Sequence, residues 1–155
     1  MRPIAPPARQ AITTWPTMIA RLGSGSGTEV AQTVPARTFA RLHVIAAYDS
    51  HAAFNNATSI YTTPQKGLYR LGGKVRVVDG GMPQGSGLGL GIDFQERDGH
   101  SFFWGVANAN RQGVINQRVV GLSEGTILRL FIYADHPVAA TVDIASAEFT
   151  VERIR

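Results

Sequence analysis

The sequence predicts a single all-β domain of eight to ten short strands, closed as a sandwich or barrel. Three observations predict it. Apolar residues recur with a period of two along most of the chain. Turn-forming pairs such as Asp79-Gly80, Asp98-Gly99 and Glu124-Gly125 fall between those runs, and Asp-Gly between alternating runs marks a hairpin because Gly supplies the positive φ of a tight turn. The 17 Gly and 8 Pro exceed what a helical protein carries, and no segment shows a capped 3.6-residue period.

The strands follow in order. Thr17 to Leu22 is a short apolar candidate, followed by the flexible loop Gly23-Ser24-Gly25-Ser26-Gly27. Phe39, Arg41, His43 and Ile45 alternate with Ala40, Leu42, Val44 and Ala46, which predicts one strand over 39–46. Tyr69, Leu71, Gly73, Val75 and Val77 alternate with Arg70, Gly72, Lys74 and Arg76, giving one apolar and one basic face. Leu88, Leu90, Ile92 and Phe94 alternate with Gly89, Gly91, Asp93 and Gln95. Ser101 to Val106, Val114 to Val120, Ile127 to Tyr133 and Thr141 to Ile154 complete the set. Gly87, Gly89 and Gly91 take one whole face of their strand. Glycine weakens a strand interior, so the stripe predicts either a close neighbour on that face, a sister subunit's backbone or ring, or a lax edge strand.

Composition sets further bounds. A chain of 155 residues, 44% hydrophobic, fits one domain, and at that size about 70% of the unfolded surface is buried. The net charge is +4 and nearly all the basic charge is Arg, Lys66 and Lys74 being the only lysines. The arginines are spread from Arg2 to Arg155 with no dense run, which argues against a nucleic-acid partner. No stretch approaches the ~20 apolar residues of a membrane span. With no cysteine, disulfides and thiolate metal sites are excluded.

Residues 1–16 read as an extended arm ahead of the domain at 17–155. Pro3, Pro6, Pro7 and Pro16 forbid a helix, and Arg2 and Arg9 are the only charged side chains. Such an arm is either disordered or laid across a partner, and it lacks the apolar core of a secretory signal.

The motif Tyr61-Thr62-Thr63-Pro64-Gln65-Lys66-Gly67-Leu68-Tyr69 resembles the hallmark of the complement globular-head and tumour-necrosis-factor-like jelly rolls. Three segments agree in order: Tyr48 to Phe54 with Ala57-Thr58-Ser59, like the preceding loop of phage and bacterial members; Leu122 to Leu130, like the late strand pair; and Ala147-Glu148-Phe149, like the closing strand. Thr126 and Val151 depart from the family pattern. The resemblance implies an antiparallel jelly roll and a homotrimer in which apolar residues meet on a three-fold axis. Tyr69, Phe102, Trp104, Phe131 and Tyr133 are the aromatic candidates, with the Gly87, Gly89 and Gly91 stripe beside them; the alternative is that these residues line the monomer core.

Chemistry is sparse. His43, His51, His100 and His136 lack metal-pair spacing; Asp49 with His51, and Asp135 with His136, read as solvated loop residues rather than a divalent site. There is no nucleophile elbow, phosphate loop or carboxylate constellation, so no catalytic residue, metal or cofactor is expected. Trp104 with Asn108, Asn110 and Arg111 offers an aromatic face ringed by amide and guanidinium donors, either a glycan contact or a plain hairpin loop. These readings point to a trimeric, non-enzymatic virion protein of a tailed bacteriophage, a capsid-decoration or fibre-tip module whose arm grips a partner such as the major capsid protein. The alternative is a trimeric receptor-binding, lectin-like module for host-surface carbohydrate.

Overall fold

The computed structural model describes residues 15–24, 26–83, 86–94, 99–106 and 112–155, and over 94, 99–106 and 112–117 it describes the backbone alone. Among the described residues every regular element is a strand. They are β1 (Thr17–Leu22), β2 (Gln32–Pro35), β3 (Phe39–Arg41), β4 (Ile45–Asp49), β5 (Phe54–Asn55), β6 (Ile60–Thr62), β7 (Gly67–Val77), β8 (Gly87–Phe94), β9 (Gly99–Val106), β10 (Gln112–Leu122), β11 (Ile127–Asp135) and β12 (Thr141–Arg153).

Two antiparallel sheets form the sandwich. The first has the order β10-β7-β12-β1-β4, and the second β5-β6-β11-β8-β9. Strand β2 pairs with the first half of β12 and continues the line of β1, while β3 lies beside β11 and continues the line of β6. Each sheet is therefore five columns wide.

Alternation fills the space between the sheets. Leu71, Val75 and Val77 on β7 and Ile144, Phe149 and Val151 on β12 face Leu88, Leu90 and Ile92 on β8 and Leu128, Leu130 and Ile132 on β11, all fully buried. The outward positions of β7 include Arg70, Gly72, Lys74 and Arg76, so the apolar-in, basic-out reading of that strand holds.

The run over 39–46 is not one strand. Phe39–Arg41 pairs with β11 in the second sheet and Ile45–Asp49 pairs with β1 in the first. Between them the chain crosses the sandwich. Leu42 and Val44 stay fully buried during the crossing and His43 stays exposed, so the period of two persists although the strand changes sheet. Leu42 N donates to Leu130 O at 3.0 Å, and the Ser59 hydroxyl donates to Val44 O at 2.9 Å, so the crossing backbone is not left unpaired.

The Tyr61 to Tyr69 motif closes one end of the sandwich. Tyr61 and Tyr69 are both fully buried. The Tyr69 hydroxyl donates to Gln65 O at 2.5 Å across the Pro64 corner. Leu68 N donates to Arg155 O at 2.8 Å, and Ile154 N to Leu68 O at 2.8 Å, so the last residues lie against this corner. A Cβ at Gly67 would fall 2.4 Å from both Arg155 O and Arg153 Nε, which is why glycine occupies that point.

The two tyrosines differ in one respect that can be tested. The Tyr61 hydroxyl is buried without a hydrogen-bond partner, whereas that of Tyr69 is satisfied. Tyr61→Phe is therefore expected to be neutral or stabilising by up to about 1 kcal/mol, and Tyr69→Phe to cost about 1 kcal/mol, by urea unfolding at pH 7. Burial, reinforced by Tyr69 and Asp49, pushes the Tyr61 phenol well above its ordinary pKa. Burial also raises Tyr69, against the opposing pull of the Gln65 carbonyl bond and Arg153. The unfolded chain ionises its tyrosines near pH 10, so native stability is constant up to that pH and falls as pH rises through the elevated folded values, by at most about 1.4 kcal/mol per pH unit per group. Tyr61→Phe is expected to shallow that alkaline slope.

Candidate assembly face

Strand β11 alternates cleanly. Leu128, Leu130, Ile132 and Ala134 point inward, and Arg129, Phe131, Tyr133 and Asp135 point out. The register with β8 sets Tyr133 opposite Gly89, Phe131 opposite Gly91, Asp135 opposite Gly87 and Arg129 opposite Asp93. On the far side of β8, Gly89 pairs with Trp104, Gly91 with Phe102, Gly87 with Val106 and Asp93 with His100. On the near side of β11, Phe39 pairs with Tyr133 and Arg41 with Phe131. The ladder thus reads Phe39, Tyr133, Gly89, Trp104 in one row and Arg41, Phe131, Gly91, Phe102 in the next.

This arrangement gives the glycine stripe a physical setting. Each bare position at 89 and 91 has an aromatic residue as its cross-strand partner on both sides, and Gly89 and Gly91 are buried although they lie on the outer face. Cross-strand aromatics shelter the exposed backbone of a strand glycine. The close neighbours of the stripe therefore include residues of the same chain.

The described part of the face is aromatic with a charged margin. The Phe39 ring is 60% exposed and lies 5.0 Å from the Tyr133 ring at 52°. The Arg129 guanidinium lies 5.8 Å from the Phe131 ring centre and donates from Nη2 to Asp93 Oδ2 at 3.0 Å, both side chains being 17% exposed. Arg41 Nη1 donates to Thr58 O at 3.2 Å, which ties β3 to the loop before β6. Large exposed apolar patches on a folded chain mark contact surfaces.

The expected axis residues separate accordingly. Phe131, Tyr133, Gly87, Gly89 and Gly91 share this outer face, and the register puts Phe102 and Trp104 in the same rows, their side chains lying outside the described residues. Tyr69 is elsewhere: it is fully buried in the chain's own core and has no outer surface, because it occupies an inward position of β7. The glycan candidates Asn108, Asn110 and Arg111 and the arm residues Arg2, Pro3, Pro6, Pro7 and Arg9 lie outside the described residues. The description begins at the half-exposed Trp15, whose ring lies 5.6 Å from the Arg153 guanidinium; Pro16 O accepts from Arg153 N at 2.8 Å.

The histidine loops have structural work. The Asp49 carboxylate accepts from Phe54 N at 2.8 Å, and His51 Nδ1 is 2.7 Å from the Ser50 hydroxyl. His136 Nδ1 accepts from Ala139 N at 2.9 Å and Val138 N at 3.1 Å. Among the described residues no three His, Asp or Glu side chains gather as a metal site. Phe39, Arg41 and the Arg129–Asp93 pair were not singled out in the sequence; cross-strand opposite charges on two alternating strands were the available signal, but only the register brings them together.

No family model matches the chain, and no curated protein matches it. Solved structures do. The globular domain of zebrafish complement 1qA protein is 16% identical, with a TM-score of 0.60 over 91% of this chain and 98% of that one. PRD1 vertex protein P5 is 11% identical, with a TM-score of 0.66 over 92% and 99%. Murine APRIL is 12% identical, with a TM-score of 0.56 over 88% and 98%. The fold is the complement-head and tumour-necrosis-factor-like jelly roll. The likeness read from Tyr61 to Tyr69 is borne out as a likeness of fold, a virion vertex protein being among its bearers.

Proposed function

We propose that the chain is a homotrimeric, non-enzymatic structural module of a tailed-bacteriophage virion, a capsid-decoration or short fibre-tip protein held to its particle by the N-terminal arm. The observation that carries this reading is the aromatic outer face of the second sheet, where Phe39, Phe131 and Tyr133 stand partly exposed on one ladder. A second copy covering that face would remove the aromatic rings from water, and closed symmetry would bury it in every subunit. The fold is shared with a protein named for its place at a virion vertex, which supports a role in a particle. The sequence and the described residues supply no catalytic constellation.

The arm at Arg2, Pro3, Pro6, Pro7 and Arg9 is the anchor in this reading. The fourteen residues 1–14, if extended, reach about 45 Å, enough to cross a neighbouring capsid subunit. Trp15 and Pro16 pack against Arg153, so the informative truncation removes residues 1–14 and keeps that contact. The truncated protein is expected to remain a trimer by light scattering while losing binding to particles that lack it. Undiminished decoration by the truncated protein would remove the anchor from the proposal.

A further inference from the structure

The outer face of the first sheet is built differently from that of the second. Lys74 on β7 pairs with Glu148 on β12, Glu148 pairs with Arg21 on β1, and Arg21 pairs with Ile45 on β4. One rung of the ladder thus carries cation, carboxylate, cation and an apolar side chain across four strands, about 14 Å at the usual strand spacing. Two residues along lie Gly72, Thr150, Ile19 and Tyr48, the last 52% exposed at the sheet's edge. A groove of about 430 Å³ lies over the Lys74–Glu148–Arg21 rung and extends away from Tyr48, lined by Arg21, Lys74, Arg76, Glu148, Ser24 and Ser146 among others. Its wall is the turn at Leu22-Gly23-Ser24. Gly23 has φ +70°, and a Cβ there would fall 2.1 Å from Ala145 O, so the turn sits flush on β12.

We propose that this groove binds an acidic polysaccharide. Arg21 meets Glu148 through Nε at 3.0 Å, and Lys74 Nζ lies 3.9 Å from the other carboxylate oxygen. Both cations remain more than half exposed, at 58% and 63%, against 25% for the carboxylate. Glu148 thus meets two cations at once, and it engages Arg21 through Nε alone. Arg76, at the groove's end, is turned to Asp79 at 3.2 Å. With Arg76 neutralised by Asp79, Arg21 and Lys74 against the single carboxylate of Glu148 leave one net positive charge, which attracts an anion.

The central carboxylate selects which kind. A nucleic-acid backbone carries a charge at least every few ångströms and would have to run across Glu148. A sugar chain with one acidic group per repeat sets its anions on Arg21 and Lys74 and its hydroxyls, as donors, on Glu148 between them. The site lies on the first sheet, whereas Trp104 belongs to β9 of the second, the sheet that carries the proposed trimer face.

The test is binding of the full-length protein to an array of uronate-, sulfate- and phosphate-bearing glycans, followed by calorimetry with the best of them and with its carboxyl-reduced or otherwise neutralised form. Saturable binding is expected, weakened about tenfold between low salt and 0.3 M salt and lost with the neutral form. Arg21→Gln/Lys74→Gln is expected to weaken it at least tenfold, with Tyr48→Ala and Val138→Ser, both outside the groove, unchanged. Binding to no acidic glycan, equal binding of the neutral form, or an unaffected double variant would each overturn the site. Tighter binding of a single-stranded oligonucleotide would reassign it to nucleic acid. Dissociation of the oligomer by the double variant would make the groove a subunit contact instead, and the trimer reading would survive while this one failed.

Discussion

Phe149→Ala is expected to destabilise the protein by about 3–5 kcal/mol, the range for removing a fully buried aromatic from a core that cannot collapse around the void. Phe149 has no exposed surface and sits on β12, the strand that pairs with β7 on one side and with both β1 and β2 on the other. Its cross-strand partners are Ala20 and Gly73, both small, so no neighbouring side chain on the rung can swing in to fill the cavity. A Cβ at Gly73 would lie 3.1 Å from Leu130 Cδ1 and 3.3 Å from Leu90 Cδ2, which shows how closely the opposite sheet approaches at this level. Urea unfolding at fixed protomer concentration is the measurement, because coupled dissociation makes the midpoint depend on concentration. The neighbouring outward residue is the control: Thr150→Ala is expected to stay within about 0.5 kcal/mol. A loss at Phe149 no larger than that at Thr150 would contradict the inward register of β12.

Legibility followed strand length and the constancy of the period. β7 and β11 were legible because each is nine or more residues long and keeps one face inside throughout, and β12 because its thirteen residues change inward parity only once, at the irregularity between Ile144 and Ser146. β2, β5 and β6 were not, because two to four residues hold too little alternation to stand out from a loop. The 39–46 run misled for a physical reason. Leu42 and Val44 serve the same core from the crossing segment, so burial kept the period while the hydrogen-bonding partner changed from β11 to β1. Tyr69 has the residue type and motif expected on the axis, yet the alternation of its own strand puts it on the inner face with Leu71 and Val75.

Charge was less legible than apolarity. The basic side chains looked scattered along the chain, and in sequence they are. Register brings Arg21 and Lys74 to the same carboxylate although 53 residues separate them, since β12 lies between β1 and β7. Pairing of that kind is set by topology and carries no local signature. The aromatic residues behaved likewise: Phe39 and Tyr133 meet only because the crossing segment delivers β3 to the edge of β11. The two outer faces therefore differ in chemistry, one laddered with ion pairs and one with rings.

That difference makes the second large prediction specific. Phe39→Lys/Tyr133→Asp replaces a cross-strand ring pair by an opposite-charge pair, which an exposed ladder tolerates in the isolated chain. In a trimer that buries this face, the same pair must be stripped of water at every interface, and the desolvation cost of several kcal/mol per ion is only partly returned. Light scattering at about 10 μM protomer is expected to show the wild-type protein near three times 16.7 kDa and the variant at 16.7 kDa, with an unchanged far-ultraviolet circular dichroism spectrum. A folded variant that stays trimeric would move the interface off the aromatic face. The polar ladder at Arg21, Lys74 and Glu148 would then be the next surface to test, and the glycan site placed there would have to give way. A monomeric wild-type protein would end the trimer reading altogether and leave the exposed rings of Phe39 and Tyr133 to be explained by a different partner. The two outer faces thus constrain each other, because a surface committed to sister subunits is closed to a polysaccharide.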